Sequence, residues 1–181
     1  MMKIEDNFLD QEEFDKLQSI LMGVEFSWFF NPFDVYENNK NEKEFLFTHI
    51  FYTFSFYQCH SHSCVIHFLY PILEKIKPIS LLRIQANLLT KTSNIVESAY
   101  HHDISSFDDE NRKTIFPEKL KQLTTSIFYV NTNNGYTKFE DGTKVESVAN
   151  RMVSFPADLK HTGTSCTDEK IRVVINFNYF K

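Results

Sequence analysis

Glycine and cysteine are scarce in this chain of 181 residues, which contains four glycines and three cysteines. A small, odd number of cysteines does not supply a disulfide framework and is more typical of a reducing compartment, so we expect a cytoplasmic protein. The sequence contains no run of about 18 apolar residues, so a membrane-spanning helix is not expected. The stretch Met1–Asp10 also lacks the apolar core of a signal peptide.

Basic residues are outnumbered, with 19 Lys and Arg against 24 Asp and Glu and a net charge of -5. This balance gives no broad basic face for a phosphate backbone, which makes nucleic acid a less favoured partner. Aromatic residues are abundant instead, with 19 Phe and 8 Tyr, and they indicate a packed, strand-rich core. The length fits a single domain, residues 1–181, that buries roughly 70% of its unfolded surface.

Two segments have the spacing of apolar residues that is typical of an amphipathic helix. In the first, Asp10 and Glu13 are placed as N-cap and N3 residues, and Gly23 is placed to end the helix. The second is predicted from Ser61 to Lys77, and Pro78 follows its end.

Most of the remaining chain predicts β-strands. In the segment Leu82–Leu89, polar and apolar residues alternate, which indicates one wet face and one packed face. The other predicted strands are Glu25–Phe30, Phe45–Tyr57, Thr124–Asn131, Thr137–Glu140, Lys144–Val148, Met152–Phe155 and Lys170–Phe180. Two helices with about eight strands around a polar inner face predict a mainly β fold, a double-stranded β-helix (jelly roll, cupin-like) backed by two or three helices.

The segment Tyr100-His101-His102-Asp103 carries the clearest chemical signal. In an extended chain residues i and i+2 point the same way, so His101 and Asp103 share a side and His102 points to the other. An imidazole beside a carboxylate supplies two of the three ligands of the facial triad that non-heme Fe(II) oxygenases use. We expect the third ligand to be a distant histidine brought in by the fold, and His161 is the only histidine C-terminal to His102.

Arg172 follows in the last predicted strand, on the same face as Asn176 and Asn178. Its planar guanidinium suits bidentate pairing with a carboxylate, such as that of a dicarboxylic acid. The plainer interpretations are a surface histidine beside a turn aspartate, for His101 and Asp103, and a surface arginine at a strand end.

Together these residues resemble the Fe(II)/2-oxoglutarate-dependent oxygenases, in particular the prolyl-4-hydroxylase-like branch, which includes small phage-encoded members. The resemblance runs from about Ile4 to the end of the sequence. It is densest in three places, His101-x-Asp103, Tyr129–Phe139, and Val153 through His161 to Arg172.

The resemblance implies Fe(II) bound by His101, Asp103 and His161, with 2-oxoglutarate as the cosubstrate bound by Arg172. It implies help for that arginine from Tyr129 and Thr137, and Asn87 is a further candidate on the strand before His101; Tyr129 as a plain core residue is the alternative. The implied reaction consumes O2, releases succinate and CO2, returns a hydroxyl group to the substrate, and is stimulated by ascorbate.

The same resemblance implies a hydroxylase of a prolyl or other peptide side chain. Two polar loops, Asn38–Lys43 and Asp108–Arg112, are placed to close over such a chain, and Arg83 is a further candidate for substrate contact. Tyr136 replaces a glycine usual in the family's turn, which puts a bulky ring near the mouth of the site. The alternatives are an oxygenase of a small molecule or nucleobase, and a non-catalytic cupin-like module that holds a metal or ligand. The sequence does not decide the oligomeric state.

A separate cluster of metal-ligating residue types precedes the second predicted helix. Its spacings, Cys-x4-Cys and His-x4-His, differ from the tight pairs of structural zinc sites, so we interpret its members as packing and surface residues. They are Cys59, His60, His62, Cys64 and His67.

Overall fold

A computed structural model gives the fold of the chain. The structure describes residues 2–32, 45–55, 58–104 and 121–181, except for the side chains of residue 55 and residues 58–62. The loops Asn38–Lys43 and Asp108–Arg112 lie outside the described residues.

Eleven strands and two α-helices make up the described parts of the chain. The helices are α1 (Gln11–Leu21) and α2 (Tyr70–Ile76), the second preceded by a 3-10 turn at Ile66–Leu69. The strands are β1 (Lys3–Glu5), β2 (Phe29–Asn31), β3 (Leu46–Ser55), β4 (Gln58–His62), β5 (Ser80–Thr90), β6 (Leu123–Tyr129), β7 (Tyr136–Phe139), β8 (Lys144–Glu146), β9 (Arg151–Pro156), β10 (His161–Gly163) and β11 (Ile171–Phe180).

The strands form two antiparallel sheets, as the predicted jelly roll requires. The large sheet has the order β1-β9-β6-β11-β5-β3-β2, with β4 also paired to β3, and the small sheet has the order β10-β7-β8. Among the described strands, only β2, β3 and β4 pair with strands next to them in sequence; the other neighbours in the large sheet are distant in sequence and are joined by crossover connections. This mainly β arrangement is the double-stranded β-helix that the sequence predicts.

Each face of the large sheet has its own apolar core. On one face the sheet packs against the helices, through residues such as Phe14, Leu17 and Ile72. On the other face a smaller cluster, which includes Phe139 and Val145 of the small sheet, lies between the two sheets. We call the second face of the large sheet the inner face.

Strand β11 shows how the alternation predicted from the sequence produces these two cores. Val173, Ile175 and Phe177 belong to the core on the helix side. Val174 belongs to the core between the sheets, so Arg172, Asn176 and Asn178 share its face. All three are buried, which places the polar residues of this strand inside the protein.

The second helix is shorter than predicted. The sequence predicts a helix over Ser61–Lys77, but Ser61 and His62 pair with Thr53 and Tyr52 of β3, and the α-helix begins only at Tyr70. A proline in the first turn of α2 explains this start, because proline has no N–H to donate and fits where none is needed.

Two smaller predictions also need correction. The predicted strand Glu25–Phe30 is reduced to β2 at Phe29–Asn31, because the chain is still turning after α1, where the N–H of Phe26 bonds the carbonyl of Gly23. Asp10 is the N-cap of α1, but its side chain makes no capping hydrogen bond, and the helix ends at Leu21. None of the helices in the described ranges has the length and apolar character needed to cross a bilayer.

Candidate functional site

His101 and His161 are held side by side by the backbone. The sequence suggested an extended strand at His101, but the residue lies in an isolated antiparallel bridge, and its partner is His161 at the start of β10. The two residues exchange N–H···O bonds of 2.9 and 3.0 Å, and their ring centroids are 4.7 Å apart. The fold therefore brings together two histidines that are sixty positions apart in the sequence.

Asp103 completes a compact group with these histidines. Its Oδ1 lies 3.6 Å from Nε2 of His101 and 3.4 Å from Nε2 of His161. The ligand atoms of the three residues all lie within 4.8 Å of one another, close enough for one metal ion to contact them all. Within the described ranges, this is the group of His, Cys, Asp or Glu side chains that can hold a metal.

The other ring nitrogen of each histidine faces a backbone carbonyl. Nδ1 of His101 lies 3.1 Å from the carbonyl of Ala99, and Nδ1 of His161 lies 3.4 Å from that of Leu159. A carbonyl only accepts, so these contacts place a proton on Nδ1 of each ring and leave Nε2, the nitrogen beside Asp103, as the metal-binding atom. Such contacts are how proteins orient metal-binding imidazoles.

Two asparagines of β11 hold the Asp103 carboxylate. Asn176 Nδ2 donates to both carboxylate oxygens at 3.2 Å, and Asn178 Nδ2 donates to Oδ2 at 3.1 Å. The guanidinium of Arg83 lies 4.0 Å from Oδ1. Oδ2 accepts bonds from both amides, whereas Oδ1 accepts one and is the oxygen that lies against the two histidines.

Asp103 is ionised in this environment. Burial raises the pKa of the carboxyl, but contacts with His101 and His161 and the positive charge of Arg83 outweigh that effect. As a result, the pKa of Asp103 lies well below its usual range. The group thus presents one negative charge and two imidazoles, the donor set of a facial triad.

Arg172 forms a second polar centre on the inner face, without a carboxylate partner among the described residues. Only 2% of the residue is exposed. Its Nε donates to Ser147 Oγ at 2.8 Å, and its Nη2 lies 3.4 Å from Thr137 Oγ1. Burial lowers the pKa of this arginine, and its polar contacts are with neutral hydroxyls. A guanidinium has five N–H donors, so most of them are left for a ligand.

Tyr129 and Thr137 join Arg172 as the resemblance implies. The Tyr129 hydroxyl donates to Thr137 Oγ1 at 2.8 Å, and the Arg172 guanidinium lies 5.8 Å from the centre of the tyrosine ring. Burial raises the pKa of Tyr129 to about 12, so its hydroxyl keeps its proton and remains a donor at neutral pH.

Gly135 leaves room for the arginine side chain. A Cβ atom at this position would lie 2.7 Å from Arg172 Cδ and 2.7 Å from the carbonyl oxygen of Ser165. Both contacts are closer than real Cβ atoms make. The glycine of the Asn133-Asn134-Gly135 turn is therefore needed for the path of Arg172.

The remaining predicted residues lie in different places. Asn87 is on the inner face opposite Val174, and it accepts a bond of 2.7 Å from Gln85, not from the Arg172 centre. His102 points away from the metal-binding group, with its Nε2 at 3.2 Å from the carbonyl of Asp158. That the ring of Tyr136 lies near the mouth of the site stays a prediction. The side chain of Thr137 faces Arg172 and Tyr129 of the large sheet, so that of the neighbouring Tyr136 faces outward, where its hydroxyl donates to Glu97 at 2.6 Å.

The cysteine and histidine cluster stays only partly described, because the side chains of Cys59, His60 and His62 lie outside the described residues. Cys64 is exposed, and Nδ1 of His67 lies 3.0 Å from the carbonyl of Cys64.

Sequence reasoning missed Ser147 as the partner of Arg172 and gave Asn176 and Asn178 no role. The signal for Ser147 was its position two residues after Val145, which is buried between the sheets.

One further observation points to a ligand, since Asn176 Oδ1 is buried without a partner among the described residues. Such an atom calls for a donor, for example an ordered water.

No family model matches the sequence, and no curated protein matches it either. Solved structures do match. An oxidoreductase of the 2OG-Fe(II) oxygenase family from Burkholderia pseudomallei aligns with a TM-score of 0.65 and 8% identity, over 98% of this chain and 84% of that chain. A prolyl hydroxylase from Trichoplax adhaerens, in complex with a peptide fragment of hypoxia inducible factor, aligns with a TM-score of 0.65 and 14% identity, over 99% and 83%.

HygX from Streptomyces hygroscopicus, with nickel and 2-oxoglutarate bound, aligns with a TM-score of 0.60 and 11% identity, over 99% of this chain and 82% of that chain. At these identities the likeness is one of fold. It confirms the predicted resemblance at that level, because the chain has the fold of the 2OG-Fe(II) oxygenases, including prolyl hydroxylases.

Proposed function

We propose that the protein is a non-heme Fe(II)- and 2-oxoglutarate-dependent dioxygenase that hydroxylates its substrate. The observation that carries the proposal is the pair of polar centres inside one jelly roll. One centre is anionic and has the donor set of an iron site, and the other is a buried arginine with hydroxyl partners only. An enzyme that binds a metal cation together with a dicarboxylate needs both.

His101, Asp103 and His161 hold the iron in this proposal. The carbonyls of Ala99 and Leu159 orient the imidazoles, and Asn176 with Asn178 keeps the carboxylate in place. Iron bound there supplies the chemistry that couples decarboxylation of 2-oxoglutarate by O2 to hydroxylation. The two histidines and one carboxylate leave a net positive charge on the site, which favours an incoming carboxylate.

Arg172 binds the distal carboxylate of 2-oxoglutarate in the same proposal. A charge-assisted bond to a carboxylate is stronger than the bonds it makes to hydroxyls. Thr137 and Tyr129 fix one side of the guanidinium and Ser147 fixes Nε, so the group is oriented before the ligand arrives.

For the substrate we propose a peptide or protein side chain, with proline as the first choice. The inner face continues past the metal-binding group across β5 and β3 to β2, at the edge of the sheet. Thr48 of β3 pairs with Asn87 on one side and with Phe29 on the other, and Ile50 pairs with Gln85. Phe29 is 61% exposed and Ile50 47% exposed, so this strip offers amides and open apolar side chains to an extended chain.

The Trichoplax prolyl hydroxylase, whose fold this chain shares, was solved with a peptide, which supports the same choice. A net charge of -5 offers a phosphate backbone no overall attraction. A free amino acid at the metal-binding group would make no use of the contacts that the exposed side chains of Phe29 and Ile50 offer.

The test is release of succinate from 2-oxoglutarate with Fe(II), O2 and ascorbate, by the wild type and by single alanine variants. His101→Ala, Asp103→Ala and His161→Ala are each expected to lose iron binding and turnover. His102→Ala is the matched control and is expected to keep both, because its side chain contacts the Asp158 carbonyl instead. Full iron affinity and activity in Asp103→Ala would contradict the proposal.

The substrate is tested by comparing how proline-rich peptides, free amino acids and single-stranded oligonucleotides stimulate turnover. We expect stimulation by a peptide. Stimulation by amino acids or oligonucleotides alone would refute the substrate choice and leave the iron chemistry unaffected.

A further inference from the structure

Gly163 lies between the two polar centres. It follows His161 by two residues on β10 and pairs directly with Thr137 of β7. Residues two apart on a strand, and residues paired across antiparallel strands, point to the same face. The side chains of His161 and Thr137 reach the metal-binding group and Arg172, so position 163 faces the same interior.

The missing side chain of Gly163 leaves space beside the free end of Arg172. A Cβ atom built there would lie 3.6 Å from Arg172 Nη1, an ordinary van der Waals contact, and within 4 Å it would meet no other atom of the described residues beyond its chain neighbours. The other guanidinium nitrogens already face Ser147 and Thr137. Nη1 has no acceptor in the described part of the chain, so it is the nitrogen with both of its N–H groups left for a ligand.

We infer that Gly163 is a specificity-determining residue, which admits the distal carboxylate of a five-carbon 2-oxo diacid to Arg172 Nη1. This inference rests on the proposed function. A 2-oxo acid whose keto end is at His101, Asp103 and His161 has to pass position 163 to reach that nitrogen. A methyl group at position 163 takes the space beside Nη1, so it lowers the affinity for the diacid. It leaves unchanged the affinity for a short 2-oxo acid that carries no distal carboxylate.

The variant Gly163→Ala tests the inference, because its added methyl group meets no clash. The measurement is calorimetric titration of the Fe(II)-loaded protein without O2, with 2-oxoglutarate and with 2-oxobutyrate. We expect affinity for 2-oxoglutarate to fall about tenfold or more, the effect of one charge-assisted hydrogen bond, with affinity for 2-oxobutyrate unchanged. Glutarate, titrated into the metal-free protein, is expected to show the same loss without any contribution from iron.

Two further variants separate this role from a general disturbance of the fold. Gly163→Ser places a hydroxyl acceptor beside Nη1 and is expected to show the same selective loss. Gly142→Ala is the control, because Gly142 lies in the β7–β8 hairpin at φ +88 with nothing near its Cβ position. That variant is strained and expected to unfold at lower temperature, with the preference for 2-oxoglutarate intact.

The outcomes are distinguishable. An unchanged ratio of the two affinities in folded Gly163→Ala and Gly163→Ser, or an equal loss of both affinities, overturns the inference and leaves the proposed function standing. A wild-type protein that binds 2-oxoglutarate no better than 2-oxobutyrate overturns both.

Discussion

At the scale of single residues, the site contains two buried charged groups that differ in their hydrogen-bond partners. Asp103 accepts bonds from Asn176 and Asn178 and lies against two histidines, so most of its lone pairs are used. Arg172 is buried with hydroxyl partners only. A buried charge without a counter-charge is costly, and the cost is recovered when an anion binds. In the proposed function that anion is the distal carboxylate of 2-oxoglutarate.

Replacement of Arg172 by alanine tests this arrangement. Loss of a charge-assisted pair of this kind costs about 2–5 kcal/mol, so affinity for 2-oxoglutarate is expected to fall roughly 30-fold or more. Arg172→Lys is expected to restore only part of it, because lysine offers a point charge and not a planar fork. Calorimetric titration of 2-oxoglutarate measures the effect, with iron affinity expected to stay at the wild-type value.

Arg83→Ala is the matched control for that variant. Arg83 is also on the inner face, but it contacts Asn178 and lies near Asp103. We expect it to leave 2-oxoglutarate affinity close to that of the wild type. If Arg83→Ala lost the affinity and Arg172→Ala kept it, the anchor would have to be assigned to Arg83.

At the scale of elements, β11 supports the fold on one face and the site on the other. The alternation in its sequence predicted both faces correctly, because a period of two leaves no choice about which residues share a side. The second helix was predicted too long, since pairing with β3 outweighed the helical spacing of Ser61 and His62. The role of Ser147 was also not visible, because the sequence does not show which strand end meets Arg172.

Ile175 gives a test of this division of β11. It is fully buried on the helix side, so Ile175→Ala is expected to lower the free energy of unfolding by about 2–5 kcal/mol. Ile50→Ala is the control, because Ile50 is 47% exposed and its loss is expected to stay within about 0.5 kcal/mol. Denaturant unfolding measures both. Equal losses in the two variants would contradict the assignment of Ile175 to the helix-side core.

At the scale of the whole molecule, the site draws on both sheets and on the chain between β5 and β6. Arg172 and Tyr129 belong to the large sheet, His161 and Thr137 belong to the small sheet, and His101 with Asp103 lies between β5 and β6. Only the family resemblance predicted that these residues lie close together. No local sequence pattern encodes how one sheet packs on another. A ligand that contacts all of them connects parts of the fold that are far apart in sequence.

Ligand binding should therefore stabilise the folded protein, with separate contributions from the two polar centres. A ligand at 100 times its Kd adds about 2.7 kcal/mol, and for a chain of this size that raises Tm by about 5–10 °C. We expect Fe(II) without O2 to raise the Tm of the wild type and of Arg172→Ala, but not of Asp103→Ala. Glutarate, which has no keto group, is expected to stabilise Asp103→Ala but not Arg172→Ala, because its carboxylate needs the arginine and not the iron. Thermal unfolding of the three proteins with each ligand measures this. Stabilisation of Arg172→Ala by glutarate to the wild-type extent would mean that the dicarboxylate binds elsewhere in the molecule.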